Sequence, residues 1–326
     1  MSFKENLKET LKKSRPNAKD STINMYTANL TKLMKLFDSE DLKFLDSPEK
    51  VKDKLSELHF TTQRNYLNAI IVYLMAESED PEEDKLIKEY VSVRNEYNAK
   101  YEEQNALGTI SDKQKDSFVD ISEVNKMIDQ MAQEIKSKGI KKKEDLNAKD
   151  KALLQVYIIF NIYTRIPMRN DISGMETINK RAYNKLSETE KKEKNYLVIN
   201  KNTMFMVLNK FKTSSKYEEI KIDIPKDLEK LLRLWIRIHG MGVLFTSSTG
   251  KPLSRNALSQ LLIKTSKKYM DKSISTTMLR KIYLSSKYSK VKDEMAETAK
   301  IMGHSTATQQ KIYIKKPQEE ESDKEE

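Results

Sequence analysis

Along residues 21–37, STINMYTANLTKLMKLF, the apolar positions Ile23, Tyr26, Leu30, Leu33 and Phe37 recur every three or four residues. That period marks one face of an α-helix, and Ser21 or Thr22 stands where an N-cap is expected. A second stripe, Val51, Leu55 and Leu58, predicts another helix. A third run, TTQRNYLNAIIVYLMA at 61–76, is apolar enough to be a buried helix that starts at Thr61 or Thr62. Together these outline a helical domain over 1–103. The following stretch, EEQNALGTISDKQKDSF, loses the period and gains polar residues and a glycine, as an exposed linker over 104–117 would.

A helical pattern returns at Val119, and after a lysine-rich segment comes the apolar helix ALLQVYIIFNIY at 152–163. Near 195 the period drops to two. YLVIN, FMVLNKF and EIKIDIP read as three short strands joined by Asn-rich and Ser-rich turns. Helices resume with LEKLLRLWIRI, LSQLLIKTSKKYM and a final pair near 291–313. The expected fold class is therefore mainly α with a small antiparallel β-sheet. It comprises a helical domain, a mixed α/β domain over 118–316 and an acidic tail over 317–326.

Composition narrows the class. The 326 residues exceed the size at which one hydrophobic core usually stops growing, in keeping with two domains. With 37% hydrophobic and 33% charged residues and only 7 Gly and 7 Pro, the chain reads as helix-rich and soluble. There is no cysteine, which excludes disulfides, thiolate metal sites and cysteine nucleophiles and fits an intracellular protein. No apolar segment near the start resembles a secretory signal, and 152–163 is too short and too polar to span a bilayer, so no membrane partner is expected. The net charge is +11, and the acidic end KPQEEESDKEE leaves a larger positive excess on the rest. Such an excess is the electrostatic footprint of a nucleic-acid partner, one that ribosomal, membrane-surface and merely lysine-rich proteins share.

The densest chemistry lies in AKIMGHSTATQQKIYIKK at 299–316. Gly303 suits a left-handed helix cap, His304 follows it, and Thr306-x-x-Gln309 reads as a capping box opening another helix. That helix carries Tyr313, nine residues after the histidine. With 3 His and 15 Tyr in the chain, the spacing alone has little weight. The order of features has more. Reading back from Tyr313 come Thr277-Met-Leu-Arg280, then Lys212 in FKTSS after the second strand, then Arg169 in IPMRND. Arg165 lies one turn before Arg169 and competes with it, but it precedes Ile166-Pro167 in what should be a loop. Tyr283 and Tyr288 compete with Tyr313, though neither follows a Gly-His step.

Arginine, hairpin lysine, x-x-x-Arg, Gly-His and tyrosine in this order resemble the catalytic signature of the tyrosine recombinases. The Pro-x-Arg-Asn-Asp variant resembles integrases of DNA viruses and virophages. The resemblance implies a helical core-binding domain and a mixed catalytic domain that together encircle double-stranded DNA. It also implies site-specific cleavage and rejoining through a 3′-phosphotyrosyl bond, needing neither metal, cofactor nor ATP. On this reading Tyr313 is the nucleophile, Arg169 and Arg280 bind the phosphate, Lys212 protonates the departing 5′-oxygen, and His304 assists. Thr277 stands where the family more often has histidine, and threonine cannot act as a general base near neutral pH. Thr61, Thr62 and Arg64 are expected to touch DNA phosphates. The resemblance further implies a homotetramer on two duplexes and, for a viral protein, a place in the host nucleus or cytoplasm. A type IB topoisomerase, a telomere resolvase and a DNA-binding protein that has lost catalysis are the alternatives.

Overall fold

The amphipathic periods become helices where expected, several of them opened by a side-chain cap. The computed structural model describes residues 2–314, apart from 107, 109, 111, 144 and 215. The acidic end expected at 317–326 lies outside the described residues.

The first compact unit, Met1–Thr109, holds five helices among its described residues: α1 (Phe3–Ser14), α2 (Asp20–Leu36), α3 (Pro48–Ser56), α4 (Phe60–Glu77) and α5 (Lys85–Ala106). Ser2 and Glu5 form a capping box on α1, and Pro48 starts α3 at the position where its missing N–H costs nothing. α2 buries Ile23, Leu30 and Leu33 as its period predicts, but its N-cap is Lys19 and makes no side-chain bond. α4 starts one residue before Thr61, and His59 is its cap, accepting a bond from the Thr61 N–H through Nδ1. Leu67, Ala69, Ile70, Ile71 and Val72 of α4 form the middle of the unit's core. The phenol of buried Tyr90 donates to the Leu45 carbonyl at 2.8 Å and anchors α5.

The second unit, Ile110–Glu326, starts with a short helix, α6 (Asp112–Lys115). α7 (Ile121–Ser137) follows, opened by an Asp120/Glu123 capping box. α8 (Ala148–Tyr163) is buried over nearly all of its length from Leu154 onward. A helix apolar on every side belongs inside a core, and each Ile, Leu or Phe removed from water there contributes about 1.5–3 kcal/mol. Beyond α8 come β1 (Glu176–Asn179), the short helices α9 (Lys180–Tyr183) and α10 (Glu188–Glu193), then β2 (Tyr196–Ile199), β3 (Met204–Leu208) and β4 (Ile220–Asp223). α11 (Lys226–His239), β5 (Gly242–Val243), α12 (Arg255–Met270), α13 (Thr276–Ile301) and α14 (Thr306–Thr308) complete the unit.

β2, β3 and β4 are the three expected strands, paired antiparallel. Two shorter strands extend them to five in the order β4-β3-β2-β1-β5, and β1 runs parallel to β2, so the sheet is mixed. β1 and β5 are only four and two residues long, too short to carry a period of their own. The larger difference concerns the end of the chain. In place of a helix pair near 291–313, α13 runs unbroken for 26 residues. Its middle, SSKYSKVKDE, contains neither glycine nor proline, so nothing in the backbone stops the helix.

Candidate active site

The core fixes where the first arginine stands. α8 ends at Tyr163, whose buried phenol donates to the Arg169 carbonyl at 2.9 Å, and burial pushes that phenol above the usual range. Arg169 is exposed and leads into a 3₁₀ turn, Asn170–Ile172. Its rival Arg165 is already engaged. It donates to Asp227 at 2.7 Å and to the Asn161 side chain at 2.8 Å.

Two residues after Arg169, Asp171 is buried at 6% exposure and forms the hub of the site. Burial raises its carboxyl above the ordinary carboxylate range, against the opposing charges of Arg255, Arg169 and Arg280. Arg255 pairs with it directly, Nη2 to Oδ1 at 3.6 Å, and the Asn170 side chain holds the Arg255 carbonyl at 3.0 Å. Ser173 donates to the Leu253 carbonyl at 2.8 Å, so the chain before α12 is stitched to the turn after Arg169. Arg255 was not singled out in the sequence. A cation in the first turn of a helix works against the helix dipole, and α12 carries no acid there; that mismatch was the available signal.

The lysine turn joins the same hub through Asn195, the residue before β2. Asn195 is buried at 7% exposure, and its Nδ2 donates to the Asp171 carbonyl at 2.8 Å and to the Lys210 carbonyl at 3.2 Å. Its Oδ1 accepts from the N–H groups of Asn209 at 3.0 Å and Lys210 at 2.8 Å. Lys212 follows two residues later, exposed, in the connection between β3 and β4. Buried Phe211 beside it holds the turn to the core.

Thr277 and Arg280 lie in the opening turns of α13, whose N-cap Ser275 accepts from the Met278 N–H at 3.2 Å. Thr277 is exposed, whereas the Arg280 Nε is buried with no hydrogen-bond partner among the described residues. A guanidinium N–H left unpaired at the edge of a site is suited to an incoming anion.

His304 and Tyr313 form a separate pair. Gly303, at φ +72°, ends α13, and the N–H groups of His304 and Gly303 bond back to the carbonyls of Ala299 and Lys300. This six-to-one and five-to-two pattern is a Schellman cap, which needs the left-handed conformation glycine adopts without strain. Ser305, not Thr306, caps the next turn by accepting from the Thr308 N–H at 3.1 Å. A π-helical turn, Gln309–Tyr313, then folds the tyrosine ring onto the histidine, with centroids 4.8 Å apart and planes 13° apart. The His304 Nε2 is covered and has no hydrogen-bond partner among the described residues. Tyr313 itself is 57% exposed.

Arg169, Arg255, Arg280 and the Lys212 turn thus gather around Asp171, and the pair His304–Tyr313 does not join them. From Arg280 to the end of α13 the helix rises about 30 Å. Half-buried Tyr283 and exposed Tyr288 lie between on the same helix, with Lys287 over both rings at 5.9 and 5.3 Å.

In the first unit, Thr61, Thr62 and Arg64 share the opening turns of α4, and the Arg64 guanidinium lies over the Tyr101 ring at 4.3 Å. Among the described residues no group of His, Asp and Glu could hold a metal ion, and no helix is long and apolar enough to cross a membrane.

No family model and no curated protein matches the chain. Among the solved structures to which it is similar are three recombinase structures. XerH bound to its difH substrate before cleavage is 18% identical, with a TM-score of 0.47, over 98% of this chain and 82% of that one. XerH on a palindromic difH substrate after cleavage is 16% identical, with a TM-score of 0.46, over 94% and 80%. XerA is 12% identical, with a TM-score of 0.35, over 93% and 91%.

Proposed function

We propose that the chain cuts and rejoins double-stranded DNA as a site-specific tyrosine recombinase. The observation that carries this reading is the gathering of two arginines, Arg169 and Arg280, and the Lys212 turn around one buried carboxylate. Two guanidiniums can grip the non-bridging oxygens of a phosphodiester and offset the charge that builds in its pentacoordinate transition state. A lysine can protonate a departing alkoxide.

In the proposed step the Tyr313 oxygen forms a bond to phosphorus as the bond from phosphorus to the 5′-oxygen breaks. The leaving electron pair on that oxygen takes a proton from Lys212. The phenolic proton passes to His304 or to water, since a phenol with a reference pKa of about 10 is a poor nucleophile until it loses that proton. The 3′-phosphotyrosyl bond keeps the energy for rejoining, so the chemistry of these residues closes without ATP. Thr277 contributes a hydrogen bond to phosphate. Thr61, Thr62 and Arg64 grip the backbone of the same duplex, and four copies join two duplexes for exchange, with integration of viral DNA as the biological setting.

Tyr313 and Arg280 must meet for this to occur. Either α13 breaks in its glycine-free but unpacked middle, or the end of α13 reaches the arginines of a second copy. The exposed Ile301, Met302, Ile312 and Ile314 around the pair support an end that seats against protein when it acts.

The test is capture of a covalent adduct on a suicide substrate made from DNA flanking the gene, with Tyr313→Phe as control. An adduct that depends on Tyr313 is expected. Its absence from the wild-type protein would favour the second reading, a DNA-binding protein of this architecture without strand transfer, which the separation of Tyr313 from Arg280 and the presence of Thr277 support. Relaxation of a plasmid lacking any specific site would point to a topoisomerase instead.

A further inference from the structure

Asn195 has no place in the chemistry above, yet it uses its whole bonding capacity in a buried position. A side-chain amide offers two donors and two acceptor lone pairs, and here all four have partners. The partners lie on two separate segments. One is the carbonyl of Asp171, in the turn that follows Arg169. The others are the N–H groups of Asn209 and Lys210 and the Lys210 carbonyl, in the turn that carries Lys212.

The amide itself is held still. The Asn195 carbonyl accepts from the Glu176 N–H at 3.0 Å, extending the β1–β2 pairing, and the Asn209 side chain donates to the neighbouring Lys194 carbonyl at 3.2 Å. A sheet with an apolar core does not need a buried amide at this point. Each buried polar group left unpaired costs about 1–3 kcal/mol, so the amide is tolerated only with all four bonds made. What four bonds achieve that an apolar residue could not is a fixed distance between the two turns.

We infer that Asn195 is a positioning residue that sets the Lys212 turn against the Arg169–Asp171 turn, so that the proton donor and the phosphate grip act on one phosphodiester. The inference rests on the strand-transfer reading of the site. It separates from a plain stabilising role because misplacing only the acid harms only the step that needs a proton. A 5′-oxygen leaves as an alkoxide and requires one. A sulfur at the same bridging position leaves as a thiolate and does not.

The experiment compares single-turnover adduct formation on two suicide substrates, one ordinary and one with the bridging 5′-oxygen at the scissile phosphate replaced by sulfur. The full-length wild type, Asn195→Ala, Asn195→Asp and Lys212→Ala are measured on both, with thermal melts alongside. Asn195→Ala is expected to slow the ordinary substrate by about a hundredfold, within the range of a lost general acid, and to recover to within about threefold of wild type on the sulfur substrate. Asn195→Asp keeps the oxygen that accepts from the 209 and 210 N–H groups but loses both donations, to the Asp171 and Lys210 carbonyls; it is the second variant should Asn195→Ala fail to fold, and it is expected to follow the same pattern. Equal loss on both substrates, or no loss on either, would overturn the inference while leaving strand transfer intact. A wild type inert on both substrates would remove the strand-transfer reading and the inference together.

Discussion

The turn at Asp171 and the end of α13 carry the two halves of one proposed chemistry, and they are held in opposite ways. At Asp171 the backbone and the carboxylate are tied to the core by segments distant in sequence. The Arg169 carbonyl is held by a phenol from the most buried helix, the Asp171 carbonyl by a buried amide, and its carboxylate by an arginine brought from another helix. At the end of α13, His304 and Tyr313 are fixed by a Schellman cap, a serine cap and one ring stack, all within a dozen or so residues of sequence. The charge-binding half is thus preorganised by the fold, whereas the proposed nucleophile half is ordered by contacts local in sequence.

A mixing experiment distinguishes the two ways in which these halves could meet. Tyr313→Phe alone should form no adduct, and Arg280→Ala alone should be slower by about a thousandfold or more, as expected when a phosphate charge is left uncompensated. If α13 delivers its tyrosine to a second copy, a mixture of the two proteins should restore adduct to a substantial fraction of wild type. If α13 breaks and folds back within one copy, the mixture should remain as inactive as its parts. Adduct formed at the wild-type rate by Tyr313→Phe would move the nucleophile to Tyr283 or Tyr288, which lie nearer Arg280 on the same helix.

A smaller effect is expected at Arg64, which the proposed function sets against a DNA phosphate. Arg64→Ala should weaken binding to any duplex several-fold and reduce the slope of log affinity against log salt by about one, since one phosphate contact is lost. Tyr101→Leu should weaken binding less, because it removes the ring beneath the guanidinium but not the charge. An unchanged salt slope for Arg64→Ala would take that residue off the DNA.

The next prediction sets stability against activity at Asp171. Burial holds its folded-state pKa above the unfolded value, so the folded state binds the proton more tightly than the unfolded chain. Stability from this group is therefore present at acid pH and lost as pH rises through the folded pKa. Asp171→Asn should raise the melting temperature at neutral pH by a few degrees and flatten its change between acid and neutral pH, while slowing adduct formation. A lower melting temperature at pH 7 would show that the arginines outweigh the burial.

The smallest effect tests the local order at the end of α13. A Cβ at Gly303 meets nothing within 4 Å, so Gly303→Ala is penalised only through its left-handed backbone. The melting temperature should hardly move, because that segment is not part of the core, while adduct formation should fall measurably as the His304–Tyr313 pair loosens. A large drop in melting temperature would mean that this end is part of the cooperative fold.

Much of this was legible in the chain. Ile23, Leu30 and Leu33 on one helix face and β2, β3 and β4 at period two are statements about neighbours in sequence, which periodicity and caps encode directly, whereas the order Arg169, Lys212, Arg280, His304, Tyr313 stands out only through a resemblance. Even the continuity of α13 was written there, in a run without glycine or proline. The pairings between distant segments emerged only on folding: Arg255 with Asp171, Asn195 with both turns, and Arg165 drawn off by Asp227. A polar side chain in a sequence carries no mark of its partner. The partner is chosen when packing of the apolar faces brings two segments together and excludes water, because a buried polar group must then be paired with whatever lies within reach.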